Sequence, residues 1–149
     1  MLSRRTKYGL KALLRLAREA SPKPVLVADI ARAERIPLKF LEAILLDLKR
    51  RGFVRSKKGK AGGYALARPA QEIRVGDVVR ALEGPLAAVG CVSQIAYSPC
   101  TDCVDEQTCR IRYAMKQVRD ATANILDAMT LTRLNDATDA TLATGDEPR

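Results

Sequence analysis

The sequence predicts a mainly α-helical chain with one small β-hairpin and a long helix towards its C-terminus. Three observations predict it. Short amphipathic segments separated by proline breaks fill residues 4–51. Two strand-like segments then flank a cationic, glycine-rich turn, KKGKAGG at 57–63. Past residue 110, apolar residues recur at heptad spacing for nearly three heptads.

RRTKYGLKALLRLARE (4–19) places Leu10, Leu13, Leu14 and Ala17 on one face with Lys and Arg largely opposite, the pattern of an amphipathic helix. SPKP (21–24) ends it, because proline cannot continue a helix and restricts the residue before it. VLVADIARAERI (25–36) reads as a short extended piece running into a helix at about 28–34. In PLKFLEAILLDLKRRG (37–52), Pro37 suits a first helical turn, where no amide bond is lost. Leu38, Leu41, Ile44, Leu45 and Leu48 form its apolar stripe. Gly52 stops the helix after Lys49, Arg50 and Arg51, whose charges complement a helix C-terminus. Strands are expected at 53–56 and 64–67. Three helices followed by a hairpin is the order of a winged helix-turn-helix.

VGDVVRALE (75–83) predicts a further short helix, broken at Gly84–Pro85. Beyond the cysteines, Ile111, Met115, Val118, Thr122, Ile125 and Met129 make a heptad seam. Such a seam packs on its own domain or on a copy of itself. The preceding module already has enough apolar faces to close a core, so a homodimer is expected. From Asp136 apolar periodicity is absent. The expected organisation is a winged helix-turn-helix at 1–68, a connecting helix and linker at 69–90, a cysteine-rich sensor loop at 91–109, a dimerisation helix and following segment at 110–134, and a disordered tail at 135–149.

Composition narrows the partners. The chain has 149 residues, enough for one ordinary domain plus an extension. Aromatic residues are 4% and Trp is absent, so Leu, Ile, Val and Ala must build the core. No apolar run approaches the ~18 residues of a membrane span. Lys11 and Arg15 interrupt the only stretch resembling a signal peptide, and a cytoplasmic protein with no membrane partner is expected. The net charge of +9 is unevenly spread: residues 1–60 carry 17 Lys/Arg against 5 Asp/Glu, whereas 61–149 carry 9 against 12. A net +12 in one segment calls for a polyanion: nucleic acid is the leading partner and an anionic membrane surface a distant second, and with the helix-turn-helix order double-stranded DNA is expected.

In a helix-turn-helix the second helix of the pair presents its N-terminal residues to base edges. Lys39, Glu42 and Phe40 hold those positions; Lys39 could donate to guanine and Glu42 accept from cytosine. Lys57, Lys58 and Lys60 on the hairpin turn are placed to neutralise phosphates, and Gly59, Gly62 and Gly63 to let the backbone approach a groove. Arg4, Arg5 and Tyr8 on the first helix complete the candidate DNA-binding set.

CVSQIAYSPCTDCVDEQTC (91–109) holds every cysteine, Cys91, Cys100, Cys103 and Cys109, and the chain has no histidine. In a reducing compartment clustered thiols point to metal or redox chemistry rather than structural disulfides. The loop is too polar for its cysteines to serve as core residues. Three readings stay open: an iron–sulfur cluster (2Fe-2S or 4Fe-4S) on the four thiolates, a structural zinc site using the same ligands, and a thiol switch at the Cys100–Cys103 CxxC pair. A redox or electron-transfer protein with incidental basicity is the alternative from another class. Nothing resembles a nucleophile–base pair, a phosphate loop or a carboxylate dyad, so no enzyme is expected.

TKYGLKALLRLA, LVADIARAERIPLKFLEAILLDLKRRGFVRS, KGKAGGYALARPAQEIRVGDVVRALEGP, the cysteine loop and ILDAMTLTRL together resemble the family of winged-helix regulators that includes the IscR, NsrR, RirA and CymR types. The resemblance spans about Leu2 to Leu134. It implies a dimeric bacterial transcription regulator whose long helix is the dimer helix, with a sensor site beside it. Cluster-binding members sense iron–sulfur status, nitric oxide, iron or redox state; the CymR type lacks the cluster and acts in cysteine metabolism. Cys91, Cys103 and Cys109 match the three-cysteine frame that the resemblance implies. Where one type has a fourth-ligand histidine this chain has Arg112, and where another has an acidic residue before the first-helix tyrosine it has Lys7 before Tyr8. Cys100 is the extra group, expected to complete an all-cysteine site or to serve as an exchangeable thiol. Pro37 and Lys39 replace serines found early in the recognition helix of some members, so operator sequences do not carry over.

Overall fold

The computed structural model describes residues 2–19 and 23–144, with side chains to residue 137. The elements run α1 (Arg4–Arg18), α2 (Val27–Glu34), α3 (Leu38–Arg50), β1 (Val54–Lys57), β2 (Gly63–Leu66), α4 (Val75–Leu82), α5 (Arg110–Ala128) and α6 (Leu131–Thr144). No helix among the described residues is long and apolar enough to cross a membrane.

Ser3 caps α1, its hydroxyl accepting from the Thr6 amide. The buried face of α1 is Thr6, Gly9, Ala12, Leu13 and Leu16, with Leu10, Leu14 and Ala17 packed at its flank. The helix is thus rotated from the face the leucines alone suggest. Gly9 explains the rotation: a Cβ there would strike Leu82 of α4, so the missing side chain lets two helices approach closely. Thr6 is fully buried because its hydroxyl donates to Glu83 at 2.5 Å.

Arg35, in the left-handed conformation at φ 54, closes α2, and the Ile36 amide returns to the Ala31 carbonyl at 2.9 Å. Pro37 stands one position earlier than expected, as the N-cap of α3. Its fixed φ still directs the chain into the helix. Leu41, Ile44, Leu45 and Leu48 are the buried stripe of α3, while Leu38 lies outside it, 43% exposed. The strands pair antiparallel from Val54 opposite Leu66 to Lys57 opposite Gly63, each shifted by one residue from expectation. Val25 adds a bridge to Tyr64, with 2.8 Å backbone bonds in both directions. A Cβ at Gly63 (φ 136) would collide with the Val25 carbonyl, so glycine is required there.

The tail expected at 135–149 is replaced through Thr144 by α6; the residues beyond it lie outside the described part. Leu131 is fully buried in the same core as Leu13, Ile30 and Leu41. Backbone bonds from Val75 to Met129 (2.8 Å) and from Leu131 to Ile73 (3.0 Å) zip this return onto the start of α4. Asn135, also buried, donates to the Leu14 carbonyl at 3.3 Å and accepts from Arg18 at 3.2 Å. These partners lie over a hundred residues away in sequence, and local periodicity carries no trace of them.

Glu83 at the end of α4 ties α1 down, accepting from Thr6 and from the Ser3 amide at 2.9 Å. Those bonds from Thr6 and Ser3 hold its carboxyl at about 2. A pKa lowered in the folded state stabilises the fold above the unfolded glutamate value and loses that contribution as pH falls towards the folded one. Urea midpoints measured from pH 7 down to pH 2.5 should fall less steeply in Glu83→Gln than in the wild type.

Candidate nucleic-acid interface and cysteine pocket

The first turns of α3 put Lys39 into solvent with its side chain 96% exposed, beside Glu42 at 3.9 Å. Phe40 is 42% exposed and meets Tyr8 of α1 edge to face, ring centroids 5.7 Å apart. That contact holds an aromatic ring out of the core beside the Lys39–Glu42 pair. Arg4 is exposed. Arg5, by contrast, pairs with Asp47 of α3 at 2.6 Å, so it joins α1 to α3 while its side chain stays 42% exposed. Asp47 also holds Arg51 at 3.2 Å.

Lys57, Lys58 and Lys60 project from the exposed hairpin turn. Gly62 does not offer open backbone: it is buried, its amide donates to Gly59 at 2.9 Å, and a Cβ there would strike the turn's own carbonyls. Its visible role is to close the turn that carries the lysines. The structure also brings Lys57 and Lys60 together with Arg15, Lys23 and Arg32 around an open concavity of about 900 Å³. Sequence reasoning missed the last three because they belong to separate segments and converge only when Val25 joins the hairpin.

All four cysteines line one cavity of about 450 Å³, together with Val89, Ile111 and Arg112. Cys91 is buried in a 3-10 turn, Gly90–Val92; Cys103 and Cys109 are half-buried and Cys100 is exposed. None is in a disulfide. Cys109 is the N-cap of α5, its Sγ accepting from the Arg112 amide at 3.4 Å. That amide chiefly, with the Cys103 thiol and the Ile111 amide, lowers the Cys109 pKa. Cys103 moves the other way, pushed up by burial and by the bond it donates to Cys109. Two arginines of α5 hold the opposite wall: Arg112 Nε donates to the Cys91 carbonyl at 3.3 Å and Arg119 Nη1 to the Val92 carbonyl at 2.6 Å.

Soft donors around one cavity match what an iron–sulfur cluster or zinc requires. No three Cys, Asp or Glu side chains among the described residues converge tightly enough to hold a metal ion. The thiols therefore frame a space without closing on a point. The expected seam on α5 has no cover: Ile111 is 71%, Val118 50% and Ile125 61% exposed, and Met115, Thr122 and Met129 are half-buried. The helix buries none of its residues.

Residues 2–137 match the family described as Rrf2, iron-dependent transcriptional regulator. The chain belongs to the Rrf2 family. It is 42% identical over 134 residues to an rrf2-like HTH-type transcriptional regulator of Rhodobacter capsulatus, covering 88% of this chain and 89% of that one. Among solved structures it is similar to CymR, the global cysteine regulator of Bacillus subtilis, with TM-score 0.76, 28% identity, and 92% and 97% of the two chains covered. It is also similar to IscR of T. potens, with TM-score 0.71, 26% identity, and 99% and 93% covered. The winged-helix reading and the DNA-binding regulator class stand on this membership. On this surface the candidate contacts fall on α3 and on the hairpin turn, and each set has its own expected signature. Replacing Lys57, Lys58 and Lys60 together by Ala should weaken binding to all DNA sequences and flatten its salt dependence by about 0.9 in log–log slope for each phosphate no longer neutralised. Lys39→Ala or Glu42→Ala should instead cost about 1–3 kcal/mol only on DNA carrying the base that residue reads. Fluorescence anisotropy across salt and operator variants separates the two.

Proposed function

We propose that this Rrf2 protein is a homodimeric, sequence-specific regulator whose Cys91, Cys100, Cys103 and Cys109 hold an iron–sulfur cluster. The observation that carries the reading is that all four thiols share one cavity at the N-cap of the helix bearing the uncovered heptad seam. Bound there, the cluster supplies a redox- and ligand-sensitive centre whose loss changes the charge and packing of the loop. The residues do the rest. Arg112 and Arg119 fasten the Cys91 turn to α5. Asp127 of α5 takes both guanidinium arms of Arg80 of α4, at 2.7 and 2.8 Å. Leu82 and Glu83 of α4 seat on Gly9, Ser3 and Thr6 of α1, and Arg5 of α1 binds Asp47 of α3. A shift at the loop thus has an unbroken route to the DNA-reading helix. Because two half-sites must lie one helical turn apart or a multiple of it, a small change in the separation of two α3 helices alters affinity.

Anaerobic reconstitution of wild type beside Cys100→Ala, with iron, sulfide and visible spectra, tests the site. The wild type should gain iron, sulfide and charge-transfer absorption, and Cys100→Ala should lose most of it. A wild type that gains none of these overturns the cluster. Val118→Glu or Ile125→Glu should convert dimer to monomer in light scattering, since a carboxylate on the seam would be buried unpaired.

A second reading keeps the DNA module and makes the loop a zinc site or a thiol switch. Four free thiols in one cavity favour the switch, as does the likeness to a structure described as a global cysteine regulator. Reversible loss of two hydrogens by mass spectrometry, with no iron uptake, would favour it over the cluster.

A further inference from the structure

One cation stands in the cysteine pocket with no part in holding the thiols as ligands. Arg112 is the sole positively charged side chain among the described residues lining the cavity, facing four thiols and the carboxylates of Asp102 and Asp105. Its backbone donates to Cys109 Sγ at 3.4 Å and its Nε to the Cys91 carbonyl at 3.3 Å, so one residue touches two walls of the cavity. Arg119, a heptad later, grips the neighbouring Val92 carbonyl at 2.6 Å, so the turn is not held by Arg112 alone. The ion-pair partner of Arg112 is Glu106 at 3.8 Å, beyond hydrogen-bond reach, which leaves much of the guanidinium charge uncompensated.

A cation so placed matters because of what four thiolates make together. Zinc and an oxidised two-iron cluster each become dianionic when all four ligands are cysteines. Collecting four thiolates and two carboxylates at one cavity is opposed by their mutual repulsion, and a fixed positive charge lining the same cavity offsets it. We infer that Arg112 is the counter-charge of a dianionic, tetrathiolate-ligated metal centre in this pocket. The inference rests on the metal-site reading above and assigns the residue that sets its charge balance. Arg112 acts through the ligands as a positioning and electrostatic residue and is not itself a ligand. Glu106 tempers it as a negative charge 3.8 Å from the guanidinium.

The test uses the 149-residue chain under argon with two probes. Zinc affinity is read by competition with a chromophoric chelator. Arg112→Gln should bind zinc about 10- to 100-fold more weakly, the range for loss of an outer-shell partner. Arg112→Lys should recover most of that loss, because it keeps the charge while giving up the fork. Glu106→Gln should bind more tightly, because it removes the negative charge that partly offsets Arg112. With the iron–sulfur cluster loaded and titrated with dithionite, one electron per cluster, Arg112→Gln should be reduced at a lower potential than wild type and Arg112→Lys. Equal zinc affinity in wild type and Arg112→Gln overturns the inference, as does Arg112→Lys as weak as Arg112→Gln. If far-UV circular dichroism shows Arg112→Gln unfolded, Glu106→Gln decides: unchanged or weaker zinc binding overturns it. A wild type that takes up neither zinc nor cluster overturns the metal-site reading and this inference together. Uptake by wild type with no response in any variant overturns the inference alone.

Discussion

Helix α5 is attached by guanidinium groups. It buries none of its own residues, so hydrophobic packing within the chain does little to fix it. Arg80 of α4 instead holds Asp127 with both arms, and Arg112 and Arg119 of α5 hold the carbonyls of Cys91 and Val92. The Arg80 side chain is 23% exposed and that of Asp127 32%, so this pair is shielded enough to outweigh an ordinary surface ion pair. Each partner shifts the other as such a pair must: Arg80 is raised and Asp127 lowered, both chiefly through their shared hydrogen bond. Gly76 leaves room for it, since a Cβ there would meet the Asp127 carboxylate. Directional bonds of this kind have discrete arrangements, whereas a greasy contact would slide. An element that carries both the thiol loop and an apolar seam is well served by such an attachment.

The winged-helix head is built on the opposite principle. Its core is a single cluster that draws Leu13 from α1, Ile30 from α2, Leu41 and Leu45 from α3, Val78 from α4 and Leu131 from the return after α5. Close packing of that kind resists deformation. Polar groups enter only where a partner is supplied, and no buried side-chain nitrogen or oxygen among the described residues lacks one. Thr6 is the clearest instance, fully buried yet bonded to Glu83. The head is therefore packed as one unit, and the polar joint at Asp127–Arg80 is where its relation to α5 can change.

The candidate site divides by how local its causes are. The lysines of the wing and the Lys39–Glu42 pair were legible because charge and helix position follow from adjacent residues. The shared cysteine cavity was half legible: nineteen residues of loop made convergence of the thiols easy to anticipate. Which thiol would be the helix cap, and which would be pushed up by burial, depended on where α5 begins and what covers the loop. Arg5 and Gly62 take on structural roles that the sequence did not show, for a common reason. A side chain's charge or a glycine's freedom says what it can do, and a neighbour from another element decides what it does.

By itself the sequence determined helices α1 to α5, the hairpin, the basic head, the thiol loop and the seam, because each is written in spacing, proline and glycine punctuation or local charge. Element ends moved by a residue or so, as at Pro37 and the two strands. Only the tertiary structure decided the rotation of α1 onto Thr6 and Gly9, the added bridge at Val25, the arginine attachments of α5, and the fold-back that buries Leu131. The segment after residue 130 shows why. LTRLNDATDATLAT has no strong apolar face, yet one leucine and one asparagine find partners in α1 and at the start of α4 that were assembled far earlier in the chain. Local patterns record the period of a segment, and only the folded chain sets which distant surfaces meet it.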